Sequence, residues 1–381
     1  MSSLFDSFTI RSKKLRNRIV VSPMCNYSAI DGVVTDWHHV HYGSLARGGA
    51  GLVFVEASSV SPEGRISPGD VGIWNDEQAA ALAGIATAIK VQGAVPGIQL
   101  AHAGRKASAN RPWEGDDHMA VSDARGWETI APSAIALGGP LMWKVPREIA
   151  LTEIKRVQSD YVAAAKRALA AGFEALELHF AHGYLAASFL NSHSNQRTDE
   201  YGGSLENRSR FLRETVEAVR AVWPDRLPLF VRLGVIEFDG RDHQTVSDAI
   251  VVGQAFKDLG VDLLDLSMGF TTLEVKIPWD KQPFMGPVAK RFRDELDLPL
   301  ASSWGFDTPE IADGAIRDGT LDLVMVGKAH LANPHWPYYA ALKLGIDRPS
   351  WTLPAPYAHW LERYRVGSEP SIVSRSVKET V

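Results

Sequence analysis

The sequence predicts an α/β fold closed as one (β/α)8 TIM barrel, and three observations carry that prediction. Eight apolar runs alternate with helix-period stretches along the chain. No glycine-rich GxGxxG turn follows an early strand, so the dinucleotide signature of a doubly wound sheet is missing. The residues with chemical potential stand at the C-terminal ends of many different runs, where barrel enzymes gather their chemistry.

The predicted strands are 18–24, 51–59, 95–101, 175–180, 227–233, 262–268, 298–303 and 321–326. Most are nearly continuous in Val, Ile, Leu and Phe, the pattern of parallel strands buried on both faces. Helical periodicity marks 77–92, 152–171, 207–222 and 246–259. Gly172, Gly260 and Gly319 precede the next strand, where a helix C-terminal glycine belongs. The N-terminal segment is expected to cap the barrel bottom. The stretch 102–151 breaks the rhythm with Gly, Pro, Trp and charge, and is expected to be a long functional loop after the third strand. The polar tail 366–381 is expected to be frayed, leaving 1–365 as the barrel.

Composition narrows the partners. The chain has 381 residues, 45% hydrophobic, and a net charge of −5, which gives nucleic acid and anionic membranes no basic surface. One cysteine, Cys25, leaves no disulfide framework and no cysteine-rich metal site. There is no secretory h-region and no apolar run of about 20 residues, so the expectation is a cytoplasmic protein without a membrane span. Eleven tryptophans and 21 prolines suggest structured loops with aromatic walls.

Six strand ends carry the candidate site. The first ends Ser22-Pro23-Met24-Cys25-Asn26-Tyr27, a turn able to hold the edge of a planar ring, or else a buried inert thiol. Gln99, on the third, offers a donor and an acceptor, or else fills a barrel layer. The fourth ends His179-Phe180-Ala181-His182-Gly183-Tyr184. Two imidazoles so spaced can converge as N–H donors on one oxygen, with the phenol as proton donor. They are equally able to be metal ligands, although further ligands are not evident nearby. Arg232, on the fifth, can stabilise anionic charge or pair with a neighbour such as Glu237. After the seventh and eighth, Trp304-Gly305 and Gly327-Lys328 suggest a pocket wall and a phosphate site.

Longer motifs then point to a family. SPMCNY (22–27), VEASSV (55–60), IQLAHAGRKAS (98–108), ELHFAHGYL (177–185), the stretch 189–211 and VGKAHLANPHW (326–336) resemble the Old Yellow Enzyme family, in its bacterial xenobiotic-reductase, thermophilic-like ene-reductase branch. The resemblance runs to about position 365 and includes WTLPAPYAHWLERYR at 351–365. It implies non-covalent FMN, NADPH (or NADH) as hydride donor, and ping-pong reduction of enones or nitro compounds. It implies flavin contacts from Ser22, Pro23, Met24, Cys25, Ala57, Gln99 and Arg232, with Gly305, Gly327 and Lys328 at the phosphate. Tyr27, His179, His182 and Tyr184 match substrate-side positions, where Trp304 is also expected from its place after the seventh strand, and Cys25 matches a thiol that tunes the flavin. Trp360 matches a residue that reaches a neighbouring subunit's site, which implies a homodimer or homotetramer. Lys328 departs from the family's usual arginine and implies weaker FMN retention. Alternatives are another FMN barrel such as a demethylase, a histidine-liganded metal hydrolase, and a non-catalytic binding barrel.

Overall fold

The computed structural model describes residues 3–364. Eight parallel strands close into a barrel: β1 (Ile19–Val21), β2 (Leu52–Ser59), β3 (Val95–Ala101), β4 (Ala175–Phe180), β5 (Leu229–Ile236), β6 (Leu263–Met268), β7 (Leu300–Ser302) and β8 (Leu323–Val326). Each pairs with its sequence neighbours, and β8 returns to β1 through Val324–Ile19, Met325–Val20 and Val326–Val21. The tail expected from 366 lies outside the described residues. No helix among those residues is long and apolar enough to cross a membrane.

Three of the differences from the sequence reading sit at prolines. β1 stops at Val21, two residues before Pro23, which has no N–H for a ladder. β5 begins after Pro228 and β7 after Pro299. β5 also runs on to Ile236.

The lower bore is apolar. Val20, Leu52, Phe54, Ala175, Phe230, Leu263, Ala301, Leu323 and Met325 form one buried cluster, with Phe54 and Phe230 edge to face at 5.6 Å. An N-terminal hairpin, Phe8–Ile10 with Lys13–Leu15, adds Ile10 and Leu15 to that cluster and closes the bottom. The expected cap is therefore present, and it is a hydrophobic plug.

The long loop after β3 is also present and is tied at its base. Ile130–Ala131 pairs with Arg147–Glu148. Buried Arg197 donates from Nη1 to the carbonyls of Pro132 (3.0 Å) and Ile149 (2.8 Å) and pairs with Asp199.

Candidate active site

Above the apolar layers the bore turns polar. Gln99 Nε2 donates to Glu177 Oε1 at 2.6 Å. Arg232 is the hub: Nη1 donates to Ser22 Oγ (3.2 Å), Nη2 to Ser303 Oγ (2.8 Å), and Nε lies 3.2 Å from Asp265 Oδ2. Its carboxylate partner is thus Asp265; Glu237 instead accepts from Thr271 and Asn191. Burial pushes Glu177 up to about 8, with the Asp265 charge adding to it, and pushes Asp265 up to about 6.

The imidazole pair converges at the end of β4. The rings of His179 and His182 are 4.8 Å apart and nearly perpendicular, at 86°. The Tyr184 ring lies 5.0 Å from His179 and 6.3 Å from His182. His182 has a left-handed backbone (φ 60°), followed by Gly183 at φ 70°. That reversal is uncommon for a non-glycine residue and turns both imidazoles to one side of the chain. Burial, then the Arg232 charge, lowers both histidines well below the usual imidazole value, so both are neutral. Burial raises Tyr184 well above the usual phenol value, so it keeps its proton.

The turn after β1 is fixed by a residue outside the expected set. Glu56 accepts from Asn26 N (2.7 Å), Asn26 Nδ2 (2.8 Å) and Tyr42 OH (3.0 Å), and burial raises it to about 7. Asn26 stands between Cys25 and Tyr27, so this carboxyl holds the thiol and the phenol in place. Burial, then the charges of Asp70 and Glu56, raises the Cys25 thiol. It is a protonated group that the backbone N–H of Ala57 contacts, and is not a poised nucleophile.

Lys106 is a second residue that the sequence reading passed over. Its Nζ donates to the His182 carbonyl at 2.6 Å and lies 5.6 Å from the Tyr184 ring centroid. Burial lowers it to about 8. It lines a cavity of about 450 Å³ with Tyr27, Tyr184, Asp116, Met142 and Leu273. Its position within IQLAHAGRKAS was the available signal, but a lysine in a loop carries no signature of burial.

Residues 3–345 match the family described as NADH:flavin oxidoreductase / NADH oxidase. The chain belongs to that family. It is 41% identical to an NADPH dehydrogenase of Geobacillus thermodenitrificans (strain NG80-2) over 346 residues, covering 90% of this chain and 95% of the relative. Among solved structures it resembles the Old Yellow Enzyme homologue of Zymomonas mobilis (TM-score 0.76, 30% identity, 90% of this chain and 93% of that one). It also resembles a 2-naphthoyl-CoA reductase in complex with 2-naphthoyl-CoA (TM-score 0.78, 25% identity), covering 92% of this chain and 53% of that longer one. This is an FMN-dependent NAD(P)H oxidoreductase of the Old Yellow Enzyme family.

The donor set suits a flavin. Ser22 follows β1, Gln99 lies on β3 and Arg232 on β5; the Arg232 guanidinium reaches Ser22, and the Gln99 amide reaches Glu177. Buried Glu177 Oε2 and both Asp265 oxygens lack hydrogen-bond donors there, so the layer retains unused polar capacity. Pro23 and Met24 are partly buried in the adjoining turn, and Ala57 is buried at the end of β2. Gly305 has φ +83°, and a Cβ there would meet Gln282 Oε1 at 2.0 Å. Gly327 directly follows β8, and exposed Lys328 opens the short helix Lys328–Ala332. Trp304 forms an aromatic wall, 6.2 Å from His182 and 5.8 Å from Phe270.

Trp360 does not join this cluster. It lies on the helix Ala355–Leu361, is 63% exposed, and contacts the His359 ring at 5.2 Å.

Proposed function

We propose that this flavoenzyme reduces the C=C bond of α,β-unsaturated carbonyl or nitro compounds, with His179 and His182 holding the substrate oxygen and Tyr184 delivering the proton. The observation that carries it is the meeting of two neutral imidazoles, their rings 4.8 Å apart, with a protonated phenol whose ring lies 5.0 Å from that of His179. Two N–H donors on one oxygen draw electron density from the alkene and stabilise the charge that develops as the β-carbon accepts hydride. When bound, FMN supplies that hydride, having taken it from NAD(P)H. Tyr184 then gives its proton to the α-carbon, and its phenolate regains a proton from water entering the cavity.

Arg232 and Gln99 would hold the flavin by its polar edge, and Ser22, Pro23, Met24 and Ala57 would complete its contacts. Gly305, Gly327 and Lys328 serve the phosphate, and Cys25 tunes the potential as a thiol. Tyr27 and Trp304 shape the oxidant's side. Trp360 completes a neighbour's site in a homodimer or homotetramer. Support for that assembly is the run of exposed C-terminal aromatics, Trp351 (46%), Trp360 (63%) and Tyr364 (53%). A reducing cytoplasm suits the single cysteine.

Phenol mimics the substrate oxygen and tests the fork. His179→Ala and His182→Ala are each expected to weaken phenol binding to the FMN-loaded enzyme about tenfold or more. Unchanged dissociation constants in both variants, measured by flavin absorbance titration, remove the pair from the oxygen site.

A further inference from the structure

We infer that Ser267, acting with Trp304, decides which nitrogen of His182 carries its proton. This inference rests on the oxygen-fork reading above and concerns how that fork is set.

The argument is a count of hydrogens. Ser267 sits on β6 with 0% exposure. The alternation Leu263, Asp265, Ser267 carries it onto the bore side of the strand, with Leu263 in the lower layer and Asp265 beside Arg232. Its hydroxyl makes two contacts: Trp304 Nε1 at 2.9 Å and His182 Nε2 at 2.8 Å. An indole N–H donates only, so Oγ accepts from Trp304. The hydroxyl then has one hydrogen, and the acceptor within reach is His182 Nε2. If His182 carried its proton on Nε2, the serine hydrogen would be left buried without an acceptor. Nε2 is therefore the lone-pair nitrogen, and Nδ1 bears the proton.

The partner ring is set in the opposite sense. Ala181 N donates to His179 Nδ1 at 3.4 Å, which leaves the His179 proton on Nε2. The backbone reinforces the position of His182: its N–H donates to Met268 O at 3.1 Å, and its carbonyl accepts from Lys106. Both imidazoles are neutral, so each has one N–H to give. The fork thus presents Nε2–H from His179 and Nδ1–H from His182. With the other tautomer, His182 would turn a lone pair on Nδ1 toward the same space and repel a carbonyl oxygen. Ser267 and Trp304 are positioning residues: they select for an oxygen acceptor through His182.

Nitrogen-15 NMR of histidine-labelled, FMN-loaded enzyme reads the tautomer directly. Wild type is expected to show His182 with a protonated Nδ1 and a bare Nε2; a protonated Nε2 overturns the inference without any variant. Ser267→Ala is expected to populate both tautomers and weaken phenol binding about tenfold, whereas Ser267→Thr keeps the hydroxyl and the wild-type pattern. Identical nitrogen shifts and phenol affinities for Ser267→Ala and wild type overturn it. Should Ser267→Ala fail to fold, the wild-type nitrogen shifts decide alone: a protonated Nε2 on His182 overturns the inference, and a bare Nε2 supports it. His182→Ala separates the two levels. If it leaves phenol binding unchanged, the fork fails and the inference with it. If it weakens phenol binding while wild-type His182 shows Nε2–H, the fork stands and the Ser267 assignment alone falls.

Discussion

The two ends of one barrel obey opposite rules. At the bottom, Ile10, Leu15, Val20, Phe54, Phe230, Leu263 and Met325 interlock without a titratable group. Two residues further along the same strands, Ser22, Arg232 and Asp265 replace them, and buried charges meet with polar atoms left unpaired. Strand alternation delivers both layers, so a step of two residues separates packing from chemistry. The lower layers supply stability, while the upper layers hold groups that would be unfavourable in a core without partners.

Four substitutions test that division. Tyr184→Phe, at the rim, is expected to slow re-oxidation by 2-cyclohexenone by about 10²–10⁴-fold and largely spare reduction by NADPH; stopped-flow timing of each half-reaction checks this, and equal losses in both would remove Tyr184 as the proton donor. Phe230→Ala, at the bottom, is expected to cost about 3–5 kcal/mol in urea unfolding, while activity per bound flavin stays near wild type. A loss of activity without a loss of stability would erase the distinction between the layers.

Glu177→Gln probes the cost of the rim's charge. Glu177 is raised from 4.5 to about 8 in the fold, so the folded state keeps a proton that the unfolded chain has lost. The contribution of Glu177 to stability is therefore fully present below about pH 4.5 and is lost as pH rises toward 8, by at most about 1.4 kcal/mol per pH unit. The variant is expected to lack this decline, gaining on wild type across that window. Parallel stability curves in denaturant titrations from pH 5 to pH 8, on FMN-saturated protein, would contradict a buried protonated Glu177. Lys328→Arg has the smallest expected effect, a few-fold slower loss of FMN, because an exposed charge gains little from a second hydrogen bond. An unchanged FMN dissociation constant would show that this position does not grip the phosphate.

The bottom layer and the strand framework were legible in the sequence because continuous apolar runs have few other uses. Strand ends drifted where Pro23, Pro228 and Pro299 interrupt the ladder. Of the rim, His179, His182 and Tyr184 were legible because they lie close together in sequence and meet in space. Ser267, Glu56 and Lys106 were not, since each acts across the fold: Ser267 on a ring from β4, Glu56 on the turn after β1, and Lys106 on the carbonyl of His182. Strand alternation from Asp265 would have placed Ser267 on the bore side, but only contact with Trp304 gives it a role. Trp360 was named from motif resemblance, and its exposed position on the chain's own surface shows why no local pattern could reveal a purpose for it.

The tied base of the loop after β3 bears on how such an enzyme diversifies. Ile130–Ala131 with Arg147–Glu148, and the Arg197 clasp on Pro132 and Ile149, fasten both feet of the loop to the scaffold. Residues 137–142 between those feet form one wall of the cavity beside Tyr27, Lys106 and Tyr184. Insertions or exchanges there alter the cavity wall without touching a barrel strand. The clasp makes the segment an interchangeable part, so that a lineage can inherit one catalytic chassis and vary its appetite by replacing a few residues at the mouth.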